Sequence, residues 1–181
     1  LTELSAQLGS DVPFFLSHAA MAIGRGRGEL CEPISHALSL AQVLVVPDAR
    51  LSTEESYEAL RQRRRGGSSQ ITLTDSTPPI TMVVHALSNG SLGELAKGLW
   101  NDLEPEAIRR CPVISRIQRQ LREAGCLGSC VSGSGPAVFG LCSDGRHAHE
   151  VAAAMRTHSP DTWRIEVVQT ETPSLRVTPA C

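Results

Sequence analysis

The sequence has no apolar run approaching the ~20 residues that a membrane-crossing helix needs, so no such helix is predicted. It has no cationic excess either. Lys and Arg number 17 against 19 Asp and Glu, for a formal net charge of −2, which offers no general attraction to nucleic acid or an anionic membrane. The one basic run, Arg61-Gln62-Arg63-Arg64-Arg65, lacks interleaved aromatic residues and runs into Gly66-Gly67-Ser68-Ser69. It reads as a solvated helix end rather than a nucleic-acid patch. Six cysteines, at 31, 111, 126, 130, 142 and 181, form no CxxC pair, and no signal peptide precedes them. Neither Cys126 with Cys130 nor His147 with His149 makes a zinc-ligand set. Reduced thiols, a cytoplasmic location and no metal centre are the expectation. The sequence also lacks an initiator methionine. It opens Leu1-Thr2-Glu3-Leu4 as if within a helix, and reads as a fragment.

What is present fits an ordinary globular chain. At 181 residues, with 41% hydrophobic and 20% charged residues, it can bury a core as one domain or one and a half. Leu1, Leu4 and Leu8 recur at helical spacing until Gly9. Ala19 to Ile23 reads as a short strand running into Gly24-Arg25-Gly26-Arg27-Gly28-Glu29. Those glycines resemble a GxGxG loop, but no helix follows them, so a hairpin or bulged strand pair is predicted and a dinucleotide site is not. Val43-Leu44-Val45-Val46 is a buried strand. A helix is predicted from Ser52 to about Arg64, with Ser52 and Glu55 as a capping box. A polar loop from Gly66 to Pro79 follows, then a helix from Ile80 to Leu87 closed by Asn89-Gly90. Ser91 and Glu94 form a second predicted capping box.

The strongest helical signal lies between Pro112 and Gly125, where Val113, Ile114, Ile117, Leu121 and Ala124 share one face. Strands at 127–131 and 137–142, an alanine-rich helix at 147–158 and a strand at 163–168 complete the chain. The order predicts an α+β fold, an antiparallel sheet covered on one side by helices.

Two stretches carry candidate chemistry. In Leu8-Gly9-Ser10-Asp11-Val12-Pro13-Phe14-Phe15, a single carboxylate sits between a flexible dipeptide and an apolar block. Pro13 disfavours helix at Val12, and the two phenylalanines are expected to anchor the segment in a core. Asp11 is placed as a catalytic base would be; it is equally placed to cap a turn or pair with an arginine. In Ser132-Gly133-Ser134-Gly135, successive backbone N–H groups and two hydroxyls can form an anion-binding nest, or simply a tight turn that needs glycine.

Taken together, the Asp11 segment, Gly26-Arg27-Gly28-Glu29, Leu51-Ser52-Thr53 with Tyr57, Asn101-Asp102-Leu103-Glu104, and Ser132-Gly133-Ser134-Gly135-Pro136-Ala137-Val138-Phe139 occur in an order that strongly resembles the C-terminal part of the GHMP kinases. The resemblance covers residues 1 to about 170. It is most specific to the members that act on a cytidine-diphosphate sugar alcohol. It implies a remnant of an N-terminal kinase domain at 1–35, a GHMP kinase C-terminal domain at 36–170 and a tail at 171–181. It implies ATP and Mg2+ as co-substrate and cofactor, and a small-molecule substrate, with no nucleic-acid or membrane partner. A monomer or weak homodimer is expected.

By the same resemblance Asp11 falls on the catalytic aspartate, and Ser132, Gly133, Ser134 and Gly135 on the phosphate-side loop. Thr53 and Tyr57 fall where the base is recognised, Tyr57 as the stacking ring. Asn101, Asp102 and Glu104 are recognition marks with a structural role expected as caps and a buried link. The family's glycine-rich ATP loop and its N-terminal lysine have no counterpart in these 181 residues, so the chain alone is expected to be inactive. Two other readings stay open: a GHMP kinase for homoserine, mevalonate or a sugar, and a non-catalytic α+β binding module. Thr53 and Tyr57 speak against the former, because only a base-bearing substrate needs a stacking ring.

Overall fold

The structure is a computed structural model that describes residues 2–34, 38–65 and 79–170. The predicted loop from Gly66 to Pro79, apart from Pro79 itself, and the tail at 171–181 lie outside these residues. The described chain divides into two compact units, one formed by Leu40–Gln169 and the other by the residues before Leu40 with Thr170.

The larger unit is built on strand β3 (Ala41–Val46), which carries the Val-Leu-Val-Val run. Ala41, Val43 and Val45 point to one face and are buried, and the residues between them are half-buried. β3 pairs antiparallel with β5 (Val138–Cys142) on one side and with β6 (Arg164–Gln169) on the other. β5 in turn pairs antiparallel with β4 (Gly128–Val131), giving the order β4-β5-β3-β6. A strand paired on both sides suits β3, because its β-branched residues pack well on a pleated surface.

Against the buried face lie α6 (Glu104–Arg110), α7 (Val113–Glu123) and α8 (Gly145–His158). Ile114, Ile117 and Leu121 of α7 are completely buried, as their spacing predicts. Burying each such side chain contributes about 1.5–3 kcal/mol before the entropy of ordering it is counted. α8 contributes Ala148, Val151, Ala152 and Met155. Its N-cap, Asp144, accepts the His147 backbone N–H at 2.8 Å, and that bond holds the Asp144 carboxyl below the usual range. On the opposite face, α5 (Leu92–Lys97) covers the edge of the sheet at β4. A Cβ at Gly128 would stand 3.1 Å from the Ala96 carbonyl and from Leu99. The α+β expectation and the antiparallel sheet therefore stand, with α5 adding cover to a second face.

The capping boxes are corrected. α3 (Thr53–Arg65) starts after Ser52, whose Oγ accepts the Glu55 N–H at 3.3 Å. The Glu55 carboxylate does not return to the cap; it pairs with the Arg110 guanidinium of α6. A full positive charge in reach outbids a lone backbone N–H. At α5, Ser91 makes no side-chain cap, and Glu94 pairs with Lys97 at 2.8 Å. α4 (Ile80–Asn89) ends at Gly90 in the left-handed conformation (φ 74°), as Asn-Gly predicts.

The smaller unit contains α1 (Thr2–Leu8), α2 (Val12–Leu16) and a hairpin of β1 (Ala22–Arg25) with β2 (Leu30–Pro33). The hairpin agrees with the sequence reading. Helix at Val12 does not: Pro13 sits in the first turn of α2, where its missing N–H has no intrahelical acceptor to lose. The anchoring side chain is also different. Pro13 is buried, whereas Phe15 is 62% exposed and meets Phe14 edge-on at 5.5 Å.

Gly140 marks the tightest point of the core. A Cβ there would lie 2.6 Å from the Cys126 sulfur and 3.0 Å from Leu121. Gly140→Ala is expected to lower unfolding stability by about 1–3 kcal/mol in urea denaturation, with partial recovery when Cys126→Ala is added.

Candidate functional site

The loop Ser132–Pro136 joins the edge strand β4 to its neighbour β5. Gly133 (φ 59°) and Gly135 (φ 80°) occupy left-handed backbone that larger residues reach only with strain. At Gly135 a side chain would also crowd Leu51 and Val131, each 3.3 Å from the Cβ position. The Gly135–Pro136 peptide is cis. Within the turn, the Ser132 N–H donates to the Ala137 carbonyl at 2.9 Å and the Gly135 N–H to the Ser132 carbonyl at 3.0 Å. These bonds use neither the Gly133 nor the Ser134 N–H.

Asn101 fixes this loop from outside. Its Nδ2 donates to the Val131 carbonyl at 2.8 Å and to the Gly133 carbonyl at 2.7 Å. Its Oδ1 accepts the Leu103 N–H at 2.9 Å, which sets the turn into α6. Three residues on, the Glu104 carboxylate accepts the Val131 N–H at 2.8 Å. The Asn-Asp-Leu-Glu run is thus a clamp on the end of β4. Burial, followed by the nearby Glu104 carboxylate, pushes the Cys130 thiol up to about 12. Cys130 is therefore a protonated thiol at neutral pH and no nucleophile.

α3 brings two more predicted residues to the same loop. Thr53, in its first turn, shares a 2.8 Å hydrogen bond with the Ser134 hydroxyl across 81 residues of sequence. Tyr57 lies one helical turn later on the same side. It lines a cleft of about 520 Å³ that is also bounded by Leu99, Trp100, Cys130, Gly133 and Phe139. Tyr57 and Trp100 are about half exposed, 49% and 48%. The structure therefore gathers Thr53, Tyr57, Asn101 and the Ser132–Gly135 loop. Trp100 was not singled out from sequence, although a tryptophan directly before Asn-Asp-Leu-Glu was the available signal. Asp102 accepts the Trp100 indole N–H at 2.9 Å.

Asp11 lies in the smaller unit. It is exposed and makes no side-chain cap to α2, although it stands at the N-cap position. Among the described residues it forms no ion pair, so neither structural alternative for this carboxylate accounts for it. The Ser10 hydroxyl donates to its Oδ1 at 3.3 Å. The β1–β2 turn passes close by: a Cβ at Gly28 would be 3.8 Å from Asp11 Oδ1. That turn is held by Glu29, which accepts the Arg27 N–H at 2.6 Å. Its carboxyl is lowered first by its own backbone N–H and then by that of Arg27.

Residues 83–161 match the family described as GHMP kinases C terminal. That stretch holds the Asn101 clamp and the glycine loop. The chain is 39% identical over 156 residues to the 4-diphosphocytidyl-2-C-methyl-D-erythritol kinase of Pelotomaculum thermopropionicum, covering 86% of this chain and 51% of that protein. Residues 83–161 form a GHMP kinase C-terminal domain. A kinase of the same name from Thermobifida fusca is 38% identical over 86% of this chain and 48% of its own length. The chain thus spans about half the length of these curated relatives. A crystal structure of 4-(cytidine 5'-diphospho)-2C-methyl-D-erythritol kinase superposes on 94% of it with a TM-score of 0.70 and 29% identity, covering 57% of that chain. Mevalonate kinase of L. major, in complex with R-mevalonate, shares the fold over 79% of this chain and 46% of its own, at a TM-score of 0.66 and 19% identity.

Beside the GHMP loop, α3 and α6 are tied by Arg110, which bridges Glu55 and Glu106. Hydrogen bonds from Arg109 and then Arg110 hold the Glu106 carboxyl down at about 2, against an ordinary 4.5. A folded-state pKa below the unfolded one stabilises the fold above about pH 4.5, and that stability is lost as pH falls toward about 2. Because Arg109 is largely exposed, the contribution is screened. Glu106→Gln is expected to cost about 0.5–1 kcal/mol at pH 7, with the gap to the parent chain closing in denaturation curves taken at successively lower pH.

Proposed function

We propose that this chain carries the substrate side of a kinase that transfers the γ-phosphoryl group of ATP to the 2-hydroxyl of 4-diphosphocytidyl-2-C-methyl-D-erythritol, in the non-mevalonate route to isoprenoids. The observation that carries the reading is the bond between Thr53 and Ser134, which joins the base-recognition helix to the glycine loop beside an aromatic-lined cleft. The names and coverage of the relatives support it.

In this reading Tyr57 stacks on the cytosine and Thr53 contacts the substrate next to it. The N–H groups of Gly133 and Ser134, with the hydroxyls of Ser132 and Ser134, face phosphate oxygens, and Gly135 keeps the loop tight enough to approach them. Asp11 takes or orients the proton of the attacking hydroxyl. A bond forms between that oxygen and the γ-phosphorus, the β–γ bridging bond breaks, and ADP leaves. Such transfers depend mainly on positioning and charge, so one carboxylate is enough acid–base machinery. Mg2+ would accompany the ATP phosphates. Among the described residues no cluster of three or more His, Cys, Asp or Glu side chains could hold a metal ion, so no ligand set in this chain is assigned to it.

The domain reading that accompanies this proposal keeps residues 1–35 as part of a kinase N-terminal domain and 36–170 as the GHMP C-terminal domain. The enzyme is read as cytoplasmic, and as a monomer or weak homodimer. Homoserine, mevalonate and sugar kinases offer no reason for an aromatic ring at Tyr57, and a binding module offers none for Asp11.

The test is ATP-dependent phosphorylation of 4-diphosphocytidyl-2-C-methyl-D-erythritol by the gene product that carries this chain, followed by phosphorus NMR. Transfer is expected, with a loss of at least about 100-fold in Asp11→Asn. Transfer to homoserine or mevalonate instead would overturn the substrate, and unchanged activity in the variant would overturn the role of Asp11.

A further inference from the structure

The cleft beside the glycine loop holds one large side chain that neither the fold nor the reaction chemistry has so far explained. Trp100 is about half exposed, whereas the residues flanking its element, Leu95 and Leu103, are buried. Leaving an indole half in water forfeits hydrophobic stabilisation that burial would have supplied. Its orientation is nevertheless fixed, because Asp102 two residues away accepts its N–H at 2.9 Å. Asn101, between them, is committed to the glycine loop by both of its Nδ2 bonds. The ring is thus mounted on the same short segment that clamps the loop, and it lines the same cleft as Tyr57.

An oriented, half-exposed aromatic ring in a concave site is suited to contact a flat ligand group. Tyr57 reaches this cleft from α3, Trp100 from the segment between α5 and α6, and Phe139 from β5. Three of the six aromatic residues of the chain therefore meet at one cleft. The other tryptophan, Trp163, has a different use: the Arg116 guanidinium lies over its ring at 5.5 Å, on the helix-covered side of the sheet. Rings from separate elements make a site selective for a planar heteroaromatic ring over a flexible or purely anionic ligand, because stacking is lost when the flat group is absent.

We propose that Trp100 is a specificity residue, a second aromatic contact for the base of a pyrimidine nucleoside diphosphate held in the Tyr57 cleft. The inference rests on the cytidine-diphosphate reading above and adds to it a residue from the loop-clamping segment. One physical consequence is that base recognition and loop position are coupled. A base resting on Trp100 bears on the segment whose Asn101 holds Val131 and Gly133.

The chain's two tryptophans make this directly readable. In a Trp163→Phe background, Trp100 is the sole indole emitter, and titration with cytidine 5'-diphosphate is expected to quench it saturably. Inorganic pyrophosphate, which offers the charge without the ring, is expected to leave the emission unchanged. Calorimetry on Trp100→Ala should show cytidine diphosphate binding weakened roughly tenfold or more, with most of the affinity restored in Trp100→Phe. That restoration separates a ring contact from a loss of folding. Calorimetric binding with unchanged Trp100 emission, and an affinity within about twofold in Trp100→Ala, would overturn the role of Trp100 and leave the cytidine reading intact. No calorimetric binding of cytidine diphosphate to the parent chain, with Trp100 emission equally unmoved, would overturn both.

Discussion

The carboxamide of Asn101 is the contact on which the rest of the site depends. One side chain donates to the carbonyls at the end of β4 and inside the glycine loop, and accepts an N–H at the start of α6. Those bonds bring together segments some thirty residues apart. Left unpaired in its part-buried position, the Val131 carbonyl would carry a desolvation penalty of about 1–3 kcal/mol. Asparagine suits the position because it supplies two donors and an acceptor on one short, flat group. Aspartate would supply only acceptors, facing two carbonyl oxygens.

From this clamp the remaining geometry follows in order. Glu104 takes the Val131 N–H, so the last residue of β4 is held through both its N–H and its carbonyl. With the strand end fixed, the left-handed glycines carry the chain around to Ser134, whose hydroxyl meets Thr53. Thr53 then sets the start of α3, and Arg110 ties α3 to α6 through Glu55 and Glu106. Loop, helix and aromatic cleft thus form one network of polar contacts above a close-packed core. Polar networks of this kind rigidify a site when every member is paired.

Much of the larger unit was legible in sequence because its signals are periodic. The Val-Leu-Val-Val run, the Ile114–Ile117–Leu121 stripe and the glycine stops are local patterns with a single physical reading. The capping boxes misled because a motif gives the possible partners of a carboxylate and not its competitors. Glu55 had Arg110 in reach and Glu94 had Lys97. The Asp11 segment misled in a similar way. The rule against helix before proline yielded to a first turn in which the missing N–H costs nothing, and two adjacent phenylalanines could not both face inward from so short a helix. At the site, the order of motifs named a loop and a helix that the fold brings into contact. The contact between Thr53 and Ser134 spans 81 residues and has no local signature, and Trp100 drew no notice because an isolated aromatic residue has no period.

The claim that Asn101 holds the loop is tested most directly by amide hydrogen exchange at residues 131–135 in the parent chain and in Asn101→Asp. The account predicts that the variant loses protection there while α7 and β3 keep theirs, because the donors are removed and the core is untouched. Equal protection in the two chains would show that the glycine loop holds its own shape and that the clamp is incidental.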